Sequence, residues 1–148
     1  MTENFLNHLM HFAIYATGAE RGMAVNAAGE VVAVQGLPDD IASDSTFTGF
    51  RNIEQAYQDG ERPHITNNMI LDVSQAPKTN TNFANLRLVA VFLLDDMGAV
   101  YVDIRVRRGV IGQEDATRVQ ELAEGWVGGD LLDITTPQMI EQYEAEVS

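Results

Sequence analysis

Nine residues supply the side-chain types from which a small-molecule pocket is built. Phe50, Arg51 and Tyr57 recur in one amphipathic segment, and Asn67, Asn68, Asn80, Asn82, Phe83 and Arg87 lie in or just after an Asn-rich stretch. Such pockets are mainly apolar, with a few placed polar groups that fix orientation. Aromatic rings would provide the walls, amides the paired donors and acceptors, and guanidinium groups the recognition of an anion. A plainer use of the same residues is equally consistent with their types: Phe50, Tyr57 and Phe83 as core, and the asparagines as turn formers. Both readings stand at this level.

Other chemistry has less support. His8 and His11, three apart, would share a helix face, but two imidazoles without a third ligand do not build a metal site, and structural or surface roles are expected for them. His64 opens a short extended segment and reads as a strand-edge side chain. The pairs Asp39-Asp40 and Asp95-Asp96 fall at turns, where a carboxylate bonds nearby backbone. No nucleophile elbow, phosphate-cradling glycine loop or metalloprotease pair occurs, so the chain is expected not to be an enzyme. The absence of cysteine excludes disulfides, thiolate metal sites, cysteine nucleophiles and a thioether-linked chromophore, and no cofactor is expected.

Charge narrows the partners. Twenty-two acids against nine Lys and Arg give a net charge of −13, which would repel a phosphate backbone and argues against nucleic acid as a partner. The distribution is uneven. The stretch 113–148 holds nine acids against Arg118, whereas Arg87, Arg105, Arg107 and Arg108 make the preceding region locally neutral or basic. The acidic tail reads as a solvated face. The longest strongly apolar run, Leu88–Leu94, is far short of the roughly 20 residues that span a bilayer, and no basic stretch leads into an apolar one at the start. Neither a membrane partner nor a signal peptide is expected, and the expected location is the cytoplasm.

With 148 residues and 45% hydrophobic content the chain is sized for one domain with its own core. Thr2–Thr17 predicts a helix with Phe5, Leu9, Phe12 and Ala16 on one stripe and Leu6, Met10 and Ala13 beside it. A stripe this wide needs partners on more than one side, either the domain body or a second copy, so Phe5, Leu9 and Phe12 become candidates for a homodimer interface. Arg21–Asn26 and Val31–Gln35 predict a hairpin turning at Gly29, and Ser45–Gln58 a helix stopped by Gly60 and Pro63. His64–Thr66 is a short strand. Asn67–Asn85 lacks periodicity and is too long for an ordinary connection, so it is either a functional loop or conceals a short helix. Leu86–Leu94 and Ala99–Val106 are the strongest strand signals, joined by a turn at Asp95–Gly98. Gln113–Val127 predicts a helix, and a last one opens with Thr136 as N-cap and Pro137 at its first position. Strands joined by hairpins, with helices at the start, middle and end, predict an α+β domain with one mainly antiparallel sheet of five to six strands.

Several strings in this order resemble the GAF domain: Thr17-Gly18-Ala19-Glu20-Arg21-Gly22-Met23 at the entry to the first strand, Gly60-Glu61-Arg62-Pro63-His64-Ile65 between helix and strand, Val89–Leu94 with Val100-Tyr101-Val102-Asp103 as paired central strands, and Gln113-Glu114-Asp115 leading into Val119–Ala123. The departures, Phe92 where Pro is common and Ile111 where Phe is usual, suit a strand and a core. The resemblance covers about residues 3–127 and leaves 130–148 as a helical extension. It implies a sensory or regulatory module in signal transduction that binds a small-molecule ligand, of unknown identity, dimerises, or both. The ligand, when there is one, lies between the sheet and the loops and helices covering one face, and the resemblance brings the Asn67–Asn85 loop close to Arg51 and Tyr57. The tetrapyrrole and sulfoxide-reducing subclasses require cysteines, and the cyclic-nucleotide pattern is missing after Asn82-Phe83. The alternative is a degenerate GAF-like, PAS-type or roadblock-type module that binds proteins and no ligand.

Overall fold

The computed structural model describes residues 2–44, 47–66, 70–71, 86–106 and 108–147. Helix α1 (Thr2–Thr17) leads into strands β1 (Arg21–Asn26) and β2 (Val31–Gln35), then a 3-10 turn at Ile41–Ser43 and helix α2 (Gly49–Asp59). Short strands β3 (His64–Ile65) and β4 (Ile70–Leu71) precede the long pair β5 (Leu86–Leu94) and β6 (Gly98–Arg105), and helices α3 (Gln113–Gly128) and α4 (Thr136–Val147) follow. The strands form one six-stranded sheet in the order β2-β1-β6-β5-β3, with β4 also against β5, and every pairing is antiparallel. The architecture is the predicted α+β one.

The β5–β6 turn is tight because residue 98 carries no side chain. Gly98 has φ of +142°, and a Cβ there would overlap the Val25 carbonyl oxygen of the neighbouring β1. Helix α2 begins at Gly49, four residues after the predicted start. The Phe47 ring lies over its first turn, where only glycine leaves room, and packs edge-on against Phe50 and Tyr101. Gly60, left-handed at φ +71°, ends the helix by donating its N–H to Ala56.

Period-two alternation divides the strands between two cores. Ala24, Ala90, Phe92, Val100 and Val102 face α1, α3 and α4, while Met23, Val89, Val91, Ala99 and Tyr101 face α2 and the 3-10 turn. Helix α1 explains its wide stripe within one chain. Phe5, Leu9 and Phe12 are 0% exposed, and Phe12 meets Trp126 and Tyr143 edge-on at 5.5 and 5.6 Å. These three residues are therefore not the surface of a dimer. Sheet on one side and α3 and α4 on the other already use the whole stripe, and burying each large side chain contributes about 1.5–3 kcal/mol.

Helix α4 is built into the same core through Met139 and Tyr143, so the core runs past residue 127 into the segment read as an extension. Burial and a hydrogen bond donated to Asp115 push the Tyr143 hydroxyl up to about 12. The cap of α4 is Thr135, one residue before the predicted position. Gln138 Oε1 reaches back to accept the Thr135 N–H at 2.9 Å, the returning half of a capping box, and the Thr135 hydroxyl at 3.2 Å. Thr136 is thus free for another contact. Its N–H donates to His8 Nδ1 on α1 at 3.0 Å, and its hydroxyl lies 2.8 Å from the same nitrogen and 3.1 Å from the His8 carbonyl oxygen.

Candidate functional site

On the α2 face of the sheet, one end is ionic where the rest is apolar. The alternation that points Met23 and Val25 toward α2 points Arg21 the same way, that of Val89 and Val91 carries Arg87, and that of Ala99 and Tyr101 carries Asp103 and Arg105. Register brings them together, since Arg21 lies opposite Asp103 and Arg87 opposite Arg105. Like charges directly across an antiparallel pair repel, so the Arg87–Arg105 juxtaposition requires neighbouring carboxylates.

Asp103 supplies the first and is 0% exposed. Its Oδ1 accepts from Arg21 Nε and from Arg87 Nη1, each at 3.0 Å; its Oδ2 accepts from Arg21 Nη2 at 2.6 Å and from the Tyr101 hydroxyl. The Arg21 guanidinium also stands 5.7 Å from the Phe47 ring centroid, in cation–π range. A carboxylate so fully engaged has no lone pair free for proton abstraction. It is an anchor that holds two arginines in fixed places.

Glu20, in the α1–β1 connection, is the second carboxylate. It accepts the Arg105 backbone N–H at 2.9 Å and side-chain bonds from Arg105 Nε at 3.0 Å and Nη2 at 2.7 Å. Arg87 Nη1 stands 3.7 Å away and Arg108 Nε 3.8 Å away. The Arg105 hydrogen bonds hold the Glu20 carboxyl down at about 2, against the opposing effect of burial. Four guanidinium groups thus surround two carboxylates, and their side chains grade from 7% exposed at Arg21 to 66% at Arg108.

Of the nine candidate ligand residues, the four that are described, Phe50, Arg51, Tyr57 and Arg87, do not share one site. Asn67, Asn68, Asn80, Asn82 and Phe83 lie outside the described residues. Phe50 is half-buried at the rim of the α2-side core, and Arg51 is exposed. Tyr57, 49% exposed, lines a shallow groove of about 430 Å³ with Ile53, Asn26, Asp95 and Asp96. That groove is at the Leu94 end of β5, whereas Arg87 is at the other. Seven residues of extended chain, roughly 23 Å, separate the two ends. Of the four described, Arg87 is the residue in the ionic cluster. Of the histidines, His8 has its Nδ1 occupied by Thr136, and the described residues contain no cluster of three or more metal-ligating side chains.

Arg21, Asp103, Arg105 and Glu20 are absent from the sequence-derived candidates, yet they left a signal. Asp103 stands between Val102 and Ile104 at an inward position of an apolar strand, where a charge persists only if paired. Arg21 holds the equivalent inward position in the first hairpin.

No protein-family model matches the chain, and no curated protein matches it. Among solved structures, it is similar to the GAF-B domain of DevS from Mycobacterium smegmatis, with 18% identity, 100% of both chains covered and a TM-score of 0.53. It also aligns with Myxococcus xanthus MglB at 9% identity over 87% of this chain and 89% of that one, with a TM-score of 0.48. An MglB structure with a tetrameric arrangement aligns at 10% identity over 91% and 87%, with a TM-score of 0.43. The likeness to the DevS domain shows that the fold is GAF-like. Among the described residues, no helix is long and apolar enough to cross a membrane.

Proposed function

We propose that this chain is a non-catalytic regulatory domain that takes an anionic small molecule at the arginine cluster on the α2 face of its sheet. One observation carries the reading: in a chain of net charge −13, four of the nine basic residues converge on one end of one sheet face and outnumber their two carboxylates. Arg21 and Arg87, fixed by Asp103, make the floor. Arg105 and Arg108 are the exchangeable rim, because their partner Glu20 is itself part-exposed and Arg108 reaches it only at 3.8 Å. A ligand carboxylate or phosphate offers the planar guanidinium groups the same pair of oxygens for bidentate bonding that Glu20 does. Displacing Glu20 releases its carboxylate from Arg105 while its backbone N–H keeps a 2.9 Å bond to the Asp103 carbonyl oxygen, and this differential contact couples binding to the α1–β1 connection. Catalysis has no part in this reading.

A second reading, an interaction module without ligand, is favoured by the packing between α2 and the sheet, where Phe47, Ile53 and Tyr101 are buried together. Thermal unfolding with a panel of phosphates, nucleotides and dicarboxylates separates the two. A ligand of the folded state contributes roughly 2.7 kcal/mol at a hundredfold excess over its Kd. We expect at least one anion to raise the melting temperature, and the Arg105→Gln/Arg108→Gln double variant to lose that rise. No stabilisation by any anion would leave the interaction module.

A further inference from the structure

We infer that the outer edge of β2 receives an extended, basic segment of a partner protein as an added strand. This surface is distinct from the arginine cluster, so the inference stands or falls independently of the ligand proposed there. Among the described residues, strand β2 ends the sheet and pairs with β1 alone. Alternate N–H and C=O groups of an end strand point outward without a ladder partner, and proteins ordinarily blunt such edges with lysine, proline or inward charge. Here Val31-Val32-Ala33-Val34 contains none of these, and all four residues are partly exposed. A register irregularity opposite Ala24 and Val25 is present, yet Ala33, Val34 and Gln35 keep regular pairing with Ala24, Met23 and Gly22. A strand of this composition has high affinity for another strand.

A groove of about 640 Å³ runs along this edge, with Val31–Val34 as one wall, Glu3, Asn4 and Asn7 of α1 as the other, and Asp39 at its rim. Its charged lining residues are both acidic, and exposed Glu30 and Asp40 flank the strand and the turn after it. These charges decide the occupant. A second copy would bring the same acids and another net charge of −13 against them, whereas a strand alternating apolar residues with Lys or Arg pairs with them. Backbone bonds would supply affinity and alternate side chains the selectivity, the mode of β-strand addition.

The test uses the full chain, isotope-labelled for NMR, and two ten-residue probes of alternating Val and Lys. In the second probe, alternate backbone nitrogens are methylated, so that its charge is kept and its capacity to pair is removed. The unmodified probe should slow amide exchange at Val31–Gln35 at least tenfold, and the methylated probe should not. Val32→Lys should weaken binding at least tenfold with an unchanged circular dichroism spectrum. Asp39→Lys, on an exposed turn, should weaken it several-fold and serves as the check if Val32→Lys proves unstable. Equal binding of both probes, no binding of either, or perturbations away from β2 would overturn the inference. Concentration-dependent protection of β2 without a probe would overturn it in favour of a second copy.

Discussion

Arg21 grips both oxygens of Asp103 across the β1–β6 pair, at 3.0 and 2.6 Å, with side chains 7% and 0% exposed. Breaking a buried pair by removing one partner typically costs about 3–5 kcal/mol, because the other charge is left uncompensated. Asp103→Ala should therefore lose about that much of a total stability on the order of 5–15 kcal/mol. Arg87→Ala should cost less, since Asp103 keeps Arg21 and Tyr101. Urea unfolding of both variants measures the difference; equal losses would mean that Asp103 is not the anchor.

Glu20 fixes the acid limb of the stability profile. Its carboxyl is held at about 2 in the folded chain against an ordinary value of 4.5, so the folded state binds its proton less readily than the unfolded one. That contribution is complete above pH 4.5 and is lost as pH falls from there toward 2. Because the site is part-exposed and screened, the loss is about 1 kcal/mol rather than the full value of the shift. Glu20→Gln should flatten this part of the profile and leave the slope above pH 6 unchanged, read by unfolding at about pH 3, 4.5, 6 and 7.5.

Phe12→Glu should unfold the domain rather than release a monomer. The ring is 0% exposed between Trp126 and Tyr143, and removal of a buried Phe alone costs about 3–5 kcal/mol before a charge is added. A folded Phe12→Glu variant with altered oligomeric state in light scattering would return α1 to the surface.

Arg51→Ala and Tyr57→Ala should each change stability by no more than about 0.5 kcal/mol, as exposed positions do. Both should leave untouched any anion-dependent rise in melting temperature, because the Tyr57 groove and the arginine cluster lie at opposite ends of β5. Loss of the rise in either variant would move the site.

Periodicity and turn chemistry made most of the fold legible. The long apolar strands Leu86–Leu94 and Gly98–Arg105 and the stop signals at Gly60 and Gly128-Gly129 were readable because each is local. The start of α2 was not, since it depends on where the Phe47 ring settles against Tyr101, a contact 54 positions distant in the chain. The width of the α1 stripe told correctly that two sides were buried, but periodicity cannot distinguish a second chain from α3 and α4. Of the candidate site, Arg87 was found by type. Its partners were missed because the pairing of Arg21 with Asp103 spans 82 residues and exists only through strand register.

The contact between His8 and Thr136 makes the closing helix legible from the opening one. A backbone N–H can only donate, so His8 Nδ1 must be bare while α4 is docked, and in the neutral ring the proton resides on Nε2. Docking thereby selects one tautomer. The nitrogen chemical shifts of a single imidazole in α1 become an intrinsic spectroscopic reporter of whether a helix 128 residues downstream is in place.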